Sequence, residues 1–288
     1  MPVAVCWLVS RVQRRLRRIA AAVCCASVTA FAVAAAPLPT VASINLCTDQ
    51  LVLALADPAQ ILTVSWLAAD PEESSFAATA AGFPLNYGSA EELLAFDPDV
   101  VLAGTYTSPF TRALLLRLGY RVVELAPETS VADIERNLRI VAAAIDQTER
   151  GEHAVTALHE RLQTIDAQRP PHSPAAVVVR PGGFTVGAES LANELMLHAG
   201  VRNVVAEQGL DRWGSLSMEA LLRSAPELIV LSGYRKTQPS LANAVLEHPA
   251  LRQLGATRRT TTVPAALWAC GSPRSLESAE LLQRAAQR

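Results

Sequence analysis

Apolar residues fall along this chain in two alternating patterns, and the alternation predicts a fold class. Short, mostly apolar runs at 41–45, 61–65, 100–103, 121–125, 175–179 and 228–231 read as strands buried on both faces, with 260–263 as the last strand. Between them, apolar positions recur every three or four residues, as on amphipathic helices. Helices are expected over 50–56, 72–80, 110–118, 191–199, 249–254 and 276–286, punctuated by Asp57-Pro58, Gly82, Gly119 and Gly200. Strands alternating with helices predict an α/β protein with mainly parallel sheets.

Between residues 130 and 170 the pattern changes. Ser130-Val131-Ala132-Asp133 resembles a capping box, and Ile134, Leu138, Val141 and Ile145 follow at helical spacing. A second helical run covers 148–167, and apart from Gly151 no Gly or Pro interrupts 131–169. Such a stretch is a rod rather than a flexible linker. The expected organisation is two similar α/β lobes joined by a long rigid α-helix: lobe 37–130, connector 131–169 and lobe 170–288.

The two lobes share a repeat. Residues 88–106, GSAEELLAFDPDVVLAGTY, correspond to 217–234, SMEALLRSAPELIVLSGY, at a constant offset of 128. The offset superposes Ser89 on Ser217, Glu91 on Glu219, Pro98 on Pro226, Asp99 on Glu227 and Tyr106 on Tyr234. Each copy reads as a short helix with Glu in its first turn, a Pro-acid turn, a strand and an aromatic tip. One copy per half fits two lobes and not a solenoid. Matched carboxylates at Glu91 and Glu219 suit a partner with two equivalent basic sockets, as in a twofold dimer.

Composition narrows the class. With 50% hydrophobic residues, 18% charged and a net charge of −2, nothing argues for nucleic acid or an anionic membrane surface. At the N-terminus, Arg11, Arg14, Arg15, Arg17 and Arg18 precede an alanine-rich apolar run at 19–36 that closes in small residues. Residues 1–36 are therefore expected to be a cleaved secretory signal, in preference to a membrane or lipid anchor. Its removal leaves Cys47 and Cys270, which in an oxidising compartment form either a disulfide or two thiols.

Ligands of parallel α/β sheets bind outside the carboxyl ends of strands. Aromatic residues are 5% of the chain, yet Trp66, Tyr106, Tyr234 and Trp268 follow strands, and Tyr87 and Trp213 lie just before the repeat copies. Together they predict an aromatic-walled cleft. Arg180, Arg235 and Arg274 also fall at or past strand ends, where planar guanidinium forks meet carboxylate or catecholate oxygens. Enzyme signatures are missing: there is no phosphate-binding loop, nucleophile elbow or HExxH pair. The alternative of another class is an exported thiol- or metal-dependent enzyme using Cys47 and Cys270.

SINLCTDQLVLAL, GSAEELLAFDPDVVLAG, the helical connector, VVVRPGGFTVG, SMEALLRSAPELIVLSG and WACGSPRSLESAELL follow one another in an order that resembles a known family. It is that of the periplasmic solute-binding proteins of ABC importers for iron-siderophores and cobalamin (class III). The resemblance covers residues 41–288. It implies a monomeric carrier without a cofactor that captures an iron-siderophore or related metal chelate between its lobes; a corrinoid or haem is the alternative ligand. It also implies delivery to a permease dimer with its ATPase, docked through Glu91 and Glu219. By the same resemblance Trp66, Tyr87, Tyr106, Arg180, Trp213, Tyr234, Arg235 and Trp268 are the candidate ligand contacts, and a Cys47–Cys270 bond is compatible with lobes that move little.

Overall fold

The computed structural model describes residues 37–233 and 240–288. The expected signal segment and the candidates Tyr234 and Arg235 lie outside the described residues. Residues 38–288 form one compact body.

Its first half is β1 (Val41–Ser43), α1 (Leu46–Leu55), β2 (Ile61–Ser65), α2 (Ala77–Ala80), β3 (Leu85–Asn86), α3 (Ala90–Phe96), β4 (Val100–Gly104), α4 (Pro109–Arg117) and β5 (Arg121–Leu125). These strands form a parallel sheet ordered β3-β2-β1-β4-β5. Helices cover both faces, so β1 and β4 are buried at every position, and β4 reads as an unbroken apolar run closed by Gly104. The chain starts in the middle, builds outward through β2 and β3, then returns to add β4 and β5. Strand order therefore reverses between β1 and β4.

The two helical runs of the connector are two helices with different allegiances. In α5 (Val131–Ala144) the Ile134, Leu138 and Val141 stripe is fully buried, and the helix packs on α1, so it belongs to the wall of the first sheet. A left-handed residue, Asp146 at φ 56°, separates it from α6 (Thr148–Ala167). At 20 residues, α6 spans about 30 Å. It is the long rigid element that continues into the second half.

That half contains β6 (Ala175–Val179), β7 (Phe184–Val186), α7 (Leu191–His198), β8 (Arg202–Asn203), α8 (Val204–Glu207), β9 (Trp213–Ser215) and α9 (Met218–Ser224). It continues with β10 (Leu228–Leu231), α10 (Leu241–Ala244), α11 (Pro249–Thr257), β11 (Arg259–Thr262) and α12 (Leu276–Gln287). Its parallel sheet runs β11-β10-β6-β8, and β7 and β9 add an antiparallel pair. Here the order reverses between β6 and β10. The long helix packs on α5, α7 and α12, which ties the halves at one side.

The repeat is reproduced in the structure at its turning points. Ser89 and Ser217 each cap their helix by accepting a backbone N–H three residues on. Asp97 and Ala225, related by the same offset, both end the helix in the left-handed region, at φ 47° and 42°. Asp99 accepts from Thr40 N–H at 2.7 Å, and Glu227 from Ala175 N–H at 3.1 Å. Each acid thus ties its own strand to the head of the central one.

One buried ionisable group stands out in the scaffold. Asp49, on α1, is fully buried and accepts from the Ser65 N–H at 3.1 Å and from the Ser65 hydroxyl. Burial pushes its carboxyl from the ordinary 3.8 up to about 7, with the Ser43 and Ser65 hydrogen bonds pulling the other way. The folded protein therefore holds a proton at Asp49 that the unfolded chain releases near pH 4. Stability falls as pH rises from about 4 to 7 and is flat above, the total being on the order of 4 kcal/mol. Asp49→Asn, nearly isosteric and always neutral, is expected to match the wild type near pH 4 and to exceed it increasingly up to pH 7. Urea melts across that window check this, and parallel curves for the two proteins would refute it.

Candidate functional site

Both strand-order reversals open into the same cavity of about 880 Å³. Asn45 and Gly104 enter it from the ends of β1 and β4, and Arg180 and Gly233 from the ends of β6 and β10. This is where parallel α/β sheets leave a crevice, because the connections on the two sides of the switch point run in opposite directions. Gly104 keeps the first crevice open, since a Cβ there would meet the Asn45 side chain at 3.0 Å. Asn45 in turn is fixed by capping α1, accepting from Cys47 N–H at 3.0 Å.

The walls are aromatic and come from both halves. Tyr106 follows β4 and is 79% exposed; Trp213, on β9, is 72% exposed; Phe184 opens β7. Trp268 is buried, its indole N–H donating to the Ser232 hydroxyl at 2.8 Å, and presents only part of its ring. Residues 125–129, from the last residue of β5 onward, also line the cavity.

Two ionisable side chains in the lining are partly buried. The Arg180 backbone bonds within its own turn, to the Phe184 carbonyl and from Gly183 N–H, but its guanidinium has no hydrogen-bond or ion-pair partner among the described residues; burial lowers its pKa, and the nearby charge of Glu73 opposes the shift. A guanidinium so placed is a ready receptor for ligand oxygens. Glu128 accepts from the Asn137 amide at 2.6 Å and from Gly271 N–H at 3.3 Å, and burial raises its pKa.

Cys47 and Cys270 are joined in a disulfide, with Cα atoms 5.0 Å apart, that bridges α1 and the segment leading to α12. The two thiols on which the enzyme alternative depends are consumed in that bond. Among the described residues, no cluster of three His, Cys, Asp or Glu side chains is placed to hold a metal.

Of the sequence candidates, Tyr106, Arg180, Trp213 and Trp268 converge on the cavity. Trp66 and Tyr87 do not line it. They stack on each other, centroids 6.3 Å apart. Arg274 is also turned away from the cavity: it clamps Glu277, donates to the Ser75 carbonyl and lies over Phe76 at 5.9 Å. It fastens the second half to the first. Phe184 and Glu128 were not singled out from sequence. Phe184 directly follows the Pro181-Gly182-Gly183 turn, a usable signal; Glu128 has only its place past a strand end.

A family model described as periplasmic binding protein matches residues 41–262. The vitamin B12-binding protein of Photorhabdus laumondii is 26% identical over 167 residues, covering 56% of this chain and 59% of that relative. That of Pectobacterium atrosepticum is 26% identical over 185 residues, covering 60% and 64%. The chain thus spans about three fifths of the length of the curated relatives it matches. Among solved structures, the periplasmic haem-binding protein RhuT of Roseiflexus sp. RS-1 superposes with a TM-score of 0.73 at 20% identity, over 87% of this chain and 98% of that one. The vitamin B12-binding protein BtuF of Vibrio cholerae gives 0.67 at 17% identity, over 87% and 97%. At these identities the structures establish a shared fold.

Proposed function

This chain belongs to the periplasmic binding protein family, a family of solute carriers and not of enzymes, and we propose that it is the binding component of an ABC importer that captures a metal macrocycle between its halves. The observation that carries this reading is the meeting of two switch points in one aromatic-walled cavity, a shape suited to the flat face of a ring-shaped chelate. Within the metal-chelate class a corrinoid comes first, because relatives found by sequence bind vitamin B12. Haem is the second reading, favoured by the exposed Tyr106 phenol at the wall, a side chain able to ligate haem iron. A ferric siderophore is third. Trp66 and Tyr87 take part only if the ligand extends beyond the cavity.

On this reading residues 1–36 direct export, 37–130 and 170–288 are the lobes, 131–169 connects them, and the carrier is a monomer that docks on a permease dimer through Glu91 and Glu219. Trp213 and Trp268 stand in the cavity wall, so their fluorescence should report occupancy. Titration with cyanocobalamin, haemin and ferric siderophores is expected to give saturable quenching by a corrinoid, tightest of the three. No response to any of them would defeat the proposal.

A further inference from the structure

Two part-buried ionisable groups of the cavity lining, Arg180 and Glu128, stand on opposite halves, and they differ in what they can accept. Arg180, after β6, offers only donors; Glu128, after β5, offers acceptors when ionised. Glu128 is also unusual in how firmly it is placed. One oxygen accepts from the Asn137 amide at 2.6 Å, and that amide is oriented by a second donation, to the Ala126 carbonyl at 2.9 Å. The other oxygen accepts from Gly271 N–H, in the segment that carries the disulfide. Gly271 is packed so closely that a Cβ would meet Glu128 Cγ at 2.5 Å and Ile134 Cγ1 at 2.7 Å. Donors from both halves therefore fix this carboxyl before any ligand arrives.

An ionised carboxylate has about four acceptor positions, and these two donors fill about half of them. Glu189, another acid of the lining, is by contrast exposed and paired with Arg212. A ligand edge that brings N–H or O–H groups to Glu128 completes its hydrogen bonding. An edge that brings a carboxylate sets acceptor against acceptor beside this part-buried carboxyl, which disfavours it.

We propose that Glu128 is a specificity-determining residue of the cleft: it selects chelates whose periphery carries hydrogen-bond donors such as carboxamides and rejects those whose facing edge carries carboxylates. Arg180, on the opposite half, takes the acceptor-rich edge, so the pair also orients the ligand. This assignment rests on the carrier reading above and deepens it.

Calorimetric titrations at pH 8 with cyanocobalamin, whose corrin edge carries carboxamides, and haemin, whose edge carries carboxylates, test it. The wild type should prefer cyanocobalamin, and Glu128→Gln should reduce the cyanocobalamin-to-haemin affinity ratio at least about tenfold, the effect of roughly 1.4 kcal/mol. Binding retained with an unchanged ratio would overturn the role of Glu128 and leave the carrier reading standing. If the wild type binds neither chelate, the macrocycle reading falls and this assignment with it. Should Glu128→Gln not fold, Glu128→Asp decides, since it keeps the charge but draws the acceptor back by one methylene. It should weaken cyanocobalamin binding more than haemin binding, and equal effects on both would refute the assignment.

Discussion

Reversing both repeat-borne carboxylates, Glu91→Arg together with Glu219→Arg, is expected to abolish import while leaving ligand affinity unchanged. The expectation follows from where these side chains stand. Both lie in the first turn of their helices, α3 and α9, and both are exposed. In α3 the capping box is closed by Glu92, whose carboxylate accepts from Ser89 N–H at 3.2 Å, so Glu91 is not needed to cap its own helix. Leu94 and Leu222, also related by the repeat, are each 45% exposed one turn further on. The two halves thus offer a partner the same acid-and-leucine face. Neither glutamate lines the cavity, so ligand binding has no reason to change. Two like-charge contacts at a docking surface cost several kcal/mol, which lowers transport by on the order of a thousandfold. Uptake in reconstituted vesicles, beside titration of the purified variant, separates the outcomes. Intact uptake removes the docking role, and weakened ligand binding would place the residues in the wrong site.

How much of this was readable from the chain alone depends on the range of the interactions involved. The caps at Ser89 and Ser217 and the Pro-acid turns are local, so the duplication and the α/β class could be read directly. β3 and β8 have two residues each, too few to show any period. Assignment of α5 to the first sheet and α6 to the long connection rests on packing between distant segments, which helical spacing does not encode. The same limit explains the aromatic candidates. Trp66 and Tyr106 both follow strands, but only the folded loops distinguish them: past β4 it is Tyr106 that lines the cavity, whereas past β2 it is Pro71, Glu72 and Glu73 and not Trp66. Arg180 was readable because strand and Pro-Gly-Gly turn are adjacent in sequence. Glu128 was not, because its significance comes from Asn137 and Gly271, the latter 143 residues away.

Replacing both cysteines, Cys47→Ser with Cys270→Ser, is expected to cost the protein roughly 5 kcal/mol while leaving ligand affinity within about threefold. The disulfide closes a loop of 223 residues, and on the chain-entropy model such a cross-link restricts the unfolded chain by about that amount. For a chain of this size the loss should appear as a fall in Tm of about 10 °C or more. Affinity should survive because the bond is one of several tethers between the two halves. Gly271 still donates to Glu128, and Arg274 still reaches the Ser75 carbonyl. These contacts hold the cavity walls in register without the sulfur bridge, and the long helix α6 joins the halves on its own side. Differential scanning calorimetry of the double variant, with chelate titration on the same sample, reads both quantities. An unchanged Tm would mean that the bridge does not restrict the unfolded chain as argued. A collapse of affinity in a variant that remains folded would mean instead that the bridge itself shapes the binding wall, since Cys47 lies within the lining.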